Sequence, residues 1–257
     1  KKSGTAGLRL LYKSEGYFII KVFIYMKNPV DLEEEMFRHL RQDIRAVLER
    51  DPAARNALEV IMCYPGFHAI CMHRIAHWFY RHRLKLVARL ISQFNRFMTG
   101  IEIHPGARIG NGVFIDHGMG IVIGETAEVG DNVTIYQGVT LGGTGKETGK
   151  RHPTIGNNVV LSCGSMVLGP FRVGDNTKIG AGSVVLKEIP DNCTVVGIPG
   201  RIVKRDNKRV SNPENIDLDH TALPDPVNDA LRRLTIRLLE LEKKVEELEA
   251  RINNEAV

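Results

Sequence analysis

The sequence predicts an α+β chain: a helical N-terminal region, a parallel β-helix of hexapeptide repeats, and a C-terminal heptad helix. Three patterns carry this. Aliphatic or small residues recur every six positions at Ile103, Ile109, Ile115, Ile121, Ala127, Val133 and Val139, then at Ile155, Leu161, Val167, Val173, Ile179 and Val185. Glycine commonly follows, as in Ile109-Gly110, Ile155-Gly156, Val173-Gly174 and Ile179-Gly180. Apolar residues at helical spacing precede that run, and an unbroken alternation of three and four follows it. A fixed six-residue period means short strands that coil, each rung covering the next. The apolar position points inward, and glycine suits the corners.

Residues 1–25 are expected to be an upstream extension, because Met26-Lys27-Asn28-Pro29 resembles a natural start. Their apolar patches are interrupted by Lys13, Glu15, Gly16 and Lys21, so they match neither a membrane span nor a cleavable signal. Residues 26–100 form the helical domain. A helix is expected over 31–50, with Asp31 as cap and Met36, Leu40, Ile44, Val47 and Leu48 on one face. Asp51-Pro52 interrupts it, and a second helix covers 53–62. Pro65-Gly66 breaks the chain before helices at 67–82 and 84–98, the last ended by Gly100.

The β-helix is expected over 101–200. Val139 and Ile155 are sixteen residues apart where six would continue the period, which implies ten inserted residues. The insert is rich in Gly, Lys and Arg, running from Gly142 to Arg151-His152-Pro153. A loop leaving a rigid scaffold is where binding groups are expected. A polar, basic linker covers 201–226. In 227–257, Leu231, Leu238, Val245 and Ile252 take one core position and Leu234, Leu241 and Leu248 the other. Arg237 with Glu242, and Lys244 with Glu249, have the offset of salt bridges between parallel neighbours, which favours a parallel coiled coil.

The 257 residues carry 35 Lys+Arg against 30 Asp+Glu, a formal charge of +5 that suits an anionic ligand. The charge is too scattered for a nucleic-acid groove, and no membrane span stands out. Cys63, Cys71, Cys163 and Cys193 form no metal spacing and read as reduced thiols of a cytoplasmic protein.

His117, in Ile115-Asp116-His117-Gly118, is the sharpest catalytic candidate: it follows an inward position, and glycine leaves room around it. Histidine accepts a proton near neutral pH. Glu102 and His104 lie about one coil earlier, where a carboxylate could orient the imidazole. Arg151 suits bidentate capture of a carboxylate or phosphate. His68, His73, His77 and His82 read as packing or surface residues, and no metal site is expected.

Together, Phe67-His68-Ala69, His73-Arg74-Ile75-Ala76-His77-Trp78, Ile103-His104-Pro105, Asp116-His117, Gly124-Glu125-Thr126, the run Val139 to Lys146, and Arg151-His152-Pro153 resemble serine O-acetyltransferase, a hexapeptide-repeat acyltransferase. The likeness covers about 31–204. It implies a left-handed β-helix, trimers with active sites between neighbours, and often dimers of trimers. The implied activity uses acetyl-CoA as cosubstrate, with no resident cofactor, to acetylate L-serine toward cysteine. By position, His117 matches the general base, and Glu102 stands where the family usually has the Asp paired with it. Asp51 and Asp116 match acidic groups around serine, and Arg151 and His152 match groups near its carboxylate. Gly142, Gly143, Thr144, Gly145, Lys146 and Lys178 match the region receiving coenzyme A. The family's tail often ends in isoleucine and docks into O-acetylserine sulfhydrylase; here a heptad run ending at Val257 stands instead. Competing expectations are an acetyltransferase for sugars or xenobiotics, a metal hydratase of the γ-carbonic-anhydrase kind using His104, His117 and His152, and a scaffold acting through its coiled coil.

Overall fold

The computed structural model describes residues 29–145, 148–206, 234–241 and 244, with side chains from residue 38 onward. The expectations for residues 1–25, for Lys146, and for most of the linker and heptad run lie outside the described residues.

Among the described residues four helices precede the strands: α1 (Pro29–Arg50), α2 (Ala57–Cys63), α3 (Pro65–Arg81) and α4 (Lys85–Thr99). Helix α2 starts later than expected because Asn56 caps it, its Oδ1 accepting from the Glu59 amide at 3.0 Å. Pro65 opens α3 instead of breaking the chain, since the first turn of a helix needs no N–H from it. Gly100, at φ +71°, ends α4 in the left-handed conformation.

Among the described residues fifteen short strands follow, in three sheets whose neighbours are parallel except for the last pair. The first sheet is β1 (Glu102–Ile103), β4 (Val122–Ile123), β7 (Thr140–Gly142), β10 (Met166–Leu168) and β13 (Val184–Val185). The second is β2 (Arg108–Ile109), β5 (Glu128–Val129), β8 (Thr154–Ile155) and β11 (Arg172–Val173). The third is β3 (Phe114–Ile115), β6 (Thr134–Ile135), β9 (Val160–Leu161), β12 (Lys178–Ile179), β14 (Cys193–Val196) and β15 (Arg201–Arg205). Each of the first four coils contributes one strand to each sheet, the geometry of a β-helix. Strand β15 runs antiparallel to β14, so the third sheet extends past residue 200 into what reads in sequence as linker.

Strand register corrects the six-residue count. Ile103 stacks on Ile123, Leu141, Val167 and Val185, and Ile115 on Ile135, Leu161 and Ile179. Ile121, Ala127, Val133 and Val139 are buried too, but each lies two residues before the stacking position of its strand. An inward face with two apolar rows let the count slip from one row to the other. The true departures are eight extra residues between Leu141 and Ile155, and two between Ile115 and Ile123. Corner hydrogen bonds identify those two. Gly138 N–H donates to Met119 O, as Gly164 does to Gln137 and Gly182 to Cys163. The corner after β3 therefore holds His117 and Gly118 as its surplus.

A second corner is stitched by amides and carboxylates. Backbone N–H groups of Asn111, Asp131, Asn157 and Asp175 donate to side chains one rung on, at 2.7–2.9 Å. Asn132, Asn158, Asn176 and Asn192 take φ of 54–57°, which asparagine tolerates better than most residues.

The helices meet the first coil closely. Gly66 in α3 sits so near β3 that a Cβ there would lie 2.2 Å from Ile115 O. Asp43, almost fully buried, accepts from both Nη atoms of Arg74 and from Gly112 N–H at 3.1 Å. Arg50 donates to Gly112 O and to Thr134 Oγ1, at 3.1 and 3.3 Å. These bonds fix the end of α1, and with it Asp51. All four cysteines are free thiols. Among the described residues no helix is long and apolar enough to cross a membrane. Leu234, Leu238 and Leu241 of the heptad run lie on helical residues with more than half of each side chain exposed.

Candidate active site

Two corners of the coil gather the functional candidates. At the first, between β3 and β4, His117 takes φ +57°, a conformation rare for residues with a side chain and concentrated at functional sites. The turn is closed by Gly118 N–H donating to Asp116 O at 2.6 Å. The imidazole is 76% exposed, and its Nε2 lies 3.9 Å from Asp116 Oδ1. Asp51 joins this corner: its Oδ1 accepts from Ala53 N–H at 2.8 Å and its Oδ2 from the Tyr64 hydroxyl at 2.7 Å. Burial pushes the Tyr64 phenol up to about 12, helped by the bond to Asp51 and by the charges of Asp51, Glu59 and Asp116. Tyr64 thus stays a donor and keeps Asp51 an acceptor. Burial also raises Tyr136, with the charges of Asp116, Cys163 and Asp51 adding to it. The corner is an acidic cup with an open imidazole at its lip.

The second corner lies between the first and second sheets, where β4 turns into β5 and the long loop from β7 descends to β8. Thr126 Oγ1 accepts from the Arg151 and His152 backbone N–H groups at 3.0 and 3.1 Å. Its hydroxyl hydrogen is then available to His152 Nδ1, 2.9 Å away, which also accepts from Thr126 N–H at 3.2 Å. Neutral His152 therefore carries its proton on Nε2. The ring lies flat on Gly124, where a Cβ would come within 2.1 Å of Nε2. His104 is held likewise, its Nδ1 accepting from Gly106 N–H at 3.0 Å. Burial, aided by Arg89 for His104 and by Arg151 for His152, keeps both imidazoles below the usual histidine range.

Glu125 connects this corner to the helices. Its Oε1 accepts from the Tyr80 hydroxyl at 2.9 Å and its Oε2 from Arg151 Nη2 at 3.0 Å. The Tyr80 bond holds the carboxyl below its ordinary range against the opposing effect of burial. Lys150 Nζ donates to Thr126 O at 2.8 Å. A cavity of about 290 Å³ opens here, lined by Tyr80, Gly106, Arg108, Glu125, Glu128 and Lys150 among others.

The structure thus brings His117, Asp116 and Asp51 together, and Arg151 with His152, but on two different edges flanking the first sheet. Glu102 lies in that sheet and pairs with Arg96 at 3.1 Å. Gly142 ends β7, and Gly143, Thr144 and Gly145 begin the exposed loop beyond it. Lys178 is buried on β12 in the third sheet. Sequence reasoning assigned no role to Tyr64, Tyr80, Glu125 or Thr126. The available signal was Gly124-Glu125-Thr126, which occupies on β4–β5 the corner that His104 occupies one coil earlier and the loop one coil later.

The sequence matches two family models: "Serine acetyltransferase, N-terminal" over residues 21–71, and "Bacterial transferase hexapeptide (six repeats)" over 152–187. It is 56% identical over 222 residues to a serine acetyltransferase of Synechococcus elongatus, covering 86% of this chain and 89% of that protein. It is 57% identical over 217 residues to one of Bacillus subtilis, covering 84% and 98%. A crystal structure of the Brucella abortus serine acetyltransferase in complex with coenzyme A aligns with a TM-score of 0.67 at 46% identity, covering 68% of this chain and 70% of that one. With identity above half across more than four fifths of its length, the chain belongs to the serine acetyltransferase family.

Proposed function

We infer that this chain transfers the acetyl group of acetyl-CoA to the hydroxyl of L-serine, giving O-acetyl-L-serine and coenzyme A on the path to cysteine, with His117 as general base. Neutral His117 takes the proton of the serine hydroxyl as its oxygen attacks the thioester carbonyl. The tetrahedral intermediate collapses with loss of the coenzyme A thiolate, which receives that proton. An exposed imidazole on a strained turn suits this role, because the base must reach a substrate outside its own subunit's core. Asp51 and Asp116 supply the negative surroundings for the serine ammonium group. Arg151 supplies the positive fork for its carboxylate, with His152 beside it. The glycine-rich segment Gly142–Gly145 and Lys146 are the approach for coenzyme A, with Lys178 on β12 as a further contact.

The observation that carries the assembly is the separation of the two corners. His117 and Arg151 stand on opposite edges of one sheet, so a complete site needs the first corner of one subunit against the second corner of a neighbour. A trimer built around the coil axis provides three such junctions. Within it, Glu102 of one subunit is the carboxylate available to steady His117 of the next, and the heptad run extends the axis as a parallel three-stranded coil.

Complementation tests this directly. The His117→Ala protein, with its lowered kcat, and the Arg151→Ala protein, assayed at L-serine well below its raised KM, each turn over little; the two are unfolded together and reassembled. In random trimers about a quarter of the junctions join an intact His117 to an intact Arg151, so about a quarter of the activity should return. No recovery from a mixture that does form mixed trimers would place both groups in one subunit and defeat the reading.

A further inference from the structure

We propose that Glu125 is a positioning residue: clamped by Tyr80, it sets the orientation of the Arg151 guanidinium that receives the substrate carboxylate. This rests on the reading of Arg151 given above. Each oxygen of Glu125 has one partner, the Tyr80 hydroxyl on Oε1 and Arg151 Nη2 on Oε2. The carboxylate cannot turn without losing one of them. Gly106 closes the far side, where a Cβ would already lie 3.1 Å from Tyr80 Cζ and 3.2 Å from Glu125 Cγ. Tyr80 is itself set by the helix. His77, one turn before it on α3, contacts Pro105 O through Nδ1 at 2.8 Å, and the Tyr80 ring meets His104 edge-on at 5.8 Å.

Arg151 is therefore held twice by consecutive residues, through its backbone N–H on Thr126 and its fork on Glu125. One edge of a guanidinium spent on a fixed carboxylate leaves its other donors in a defined plane. With its side chain 38% exposed, Arg151 presents that plane outward. An arginine so held recognises a second carboxylate without first losing rotamer freedom. If Glu125 instead merely neutralised Arg151, it would compete with the substrate. The two roles predict opposite effects on removing the charge.

The experiment is steady-state kinetics of Glu125→Gln and Tyr80→Phe, each made in the wild-type and in the Arg151→Ala background. In the wild-type background KM for L-serine should rise about tenfold for Glu125→Gln and about threefold for Tyr80→Phe, with kcat and KM for acetyl-CoA shifting less than about twofold. In the Arg151→Ala background neither substitution should raise KM further. An unchanged or lower KM for Glu125→Gln, while Arg151→Ala alone raises it, overturns the positioning role and leaves the Arg151 reading standing. The same rise in both backgrounds marks a merely structural role and overturns it too. An unchanged KM in Arg151→Ala alone overturns both. If Glu125→Gln does not fold, Tyr80→Phe decides by the same comparison, since it leaves the carboxylate in place.

Discussion

At the turn from β3 to β4, a two-residue insertion lifts His117 from the strand at φ +57° and leaves most of its ring open. At the turn into β8, Arg151 and His152 are fastened by Thr126 and Glu125 through bonds of 2.9–3.2 Å. One corner is shaped by backbone strain and the other by a side-chain network. The difference matches the part each corner has in the proposed reaction. A base that acts across a subunit boundary needs reach and an open face. Groups that recognise a carboxylate need a fixed plane, because misplacement costs binding directly. On the proposed reading neither corner is a site by itself.

The largest expected effect separates the corners by kinetic parameter. His117→Ala should lower kcat by about 10²–10⁴ while coenzyme A binding, followed by calorimetry, persists. Turnover within a few-fold of the wild type would remove His117 from the chemistry. Arg151→Ala should act on the other parameter, raising KM for L-serine by about 10–100-fold, the range for losing a charged hydrogen-bonded contact. If it lowered kcat alone, the division of labour between the corners would be wrong.

Gly124→Ala probes how tightly the second corner is packed. The added methyl would meet the His152 ring at 2.0–2.1 Å, so the imidazole must leave its seat on Thr126. Overpacking of this kind costs about 1–3 kcal/mol. Urea unfolding should show that loss together with a raised KM for L-serine. At the first corner Gly120→Ala offers the contrast, since its nearest neighbour is 3.8 Å away; its cost should come from the φ of +77° alone.

How much of this was legible in sequence follows the same division. The stacked core was readable because a period of six needs only side-chain polarity to be seen, and twelve of the thirteen positions read from it are buried, Ile109 being partly so. The register was not, because two adjacent inward rows, such as Ile121 and Ile123, are both apolar. That ambiguity hid the insertion at His117 and inflated the loop to ten residues. His117, Asp116 and Arg151 stood out by residue type. Glu125 and Tyr80 did not, because they are forty-five residues apart and meet only once α3 packs on the first coil. Strand β15 was not read at Arg201–Arg205 because exposed basic residues, which suit a linker, are also what an edge strand carries.

Acid should distinguish the corners by a smaller effect. Three imidazoles at or near the second corner have their proton affinity depressed on folding: His104 and His152 within it, and His73 of α3, beside Ala107 and His104, lowered by burial to about 3. A depressed folded pKa means that the unfolded chain binds protons first as pH falls below about 6.5. Each such group then contributes a stability fully present above that pH and lost below it, at about 1.4 kcal/mol per pH unit while only the unfolded form is protonated. Urea midpoints should fall between pH 7.5 and 5.5, and His73→Gln should show a smaller fall whatever its stability at pH 7.5. Because folded His152 stays neutral over that interval it keeps its acceptor for Thr126 N–H, so loss of that acceptor should raise KM for L-serine only at lower pH. A fall in stability undiminished in His73→Gln would show that neutral His73 does not carry this pH dependence.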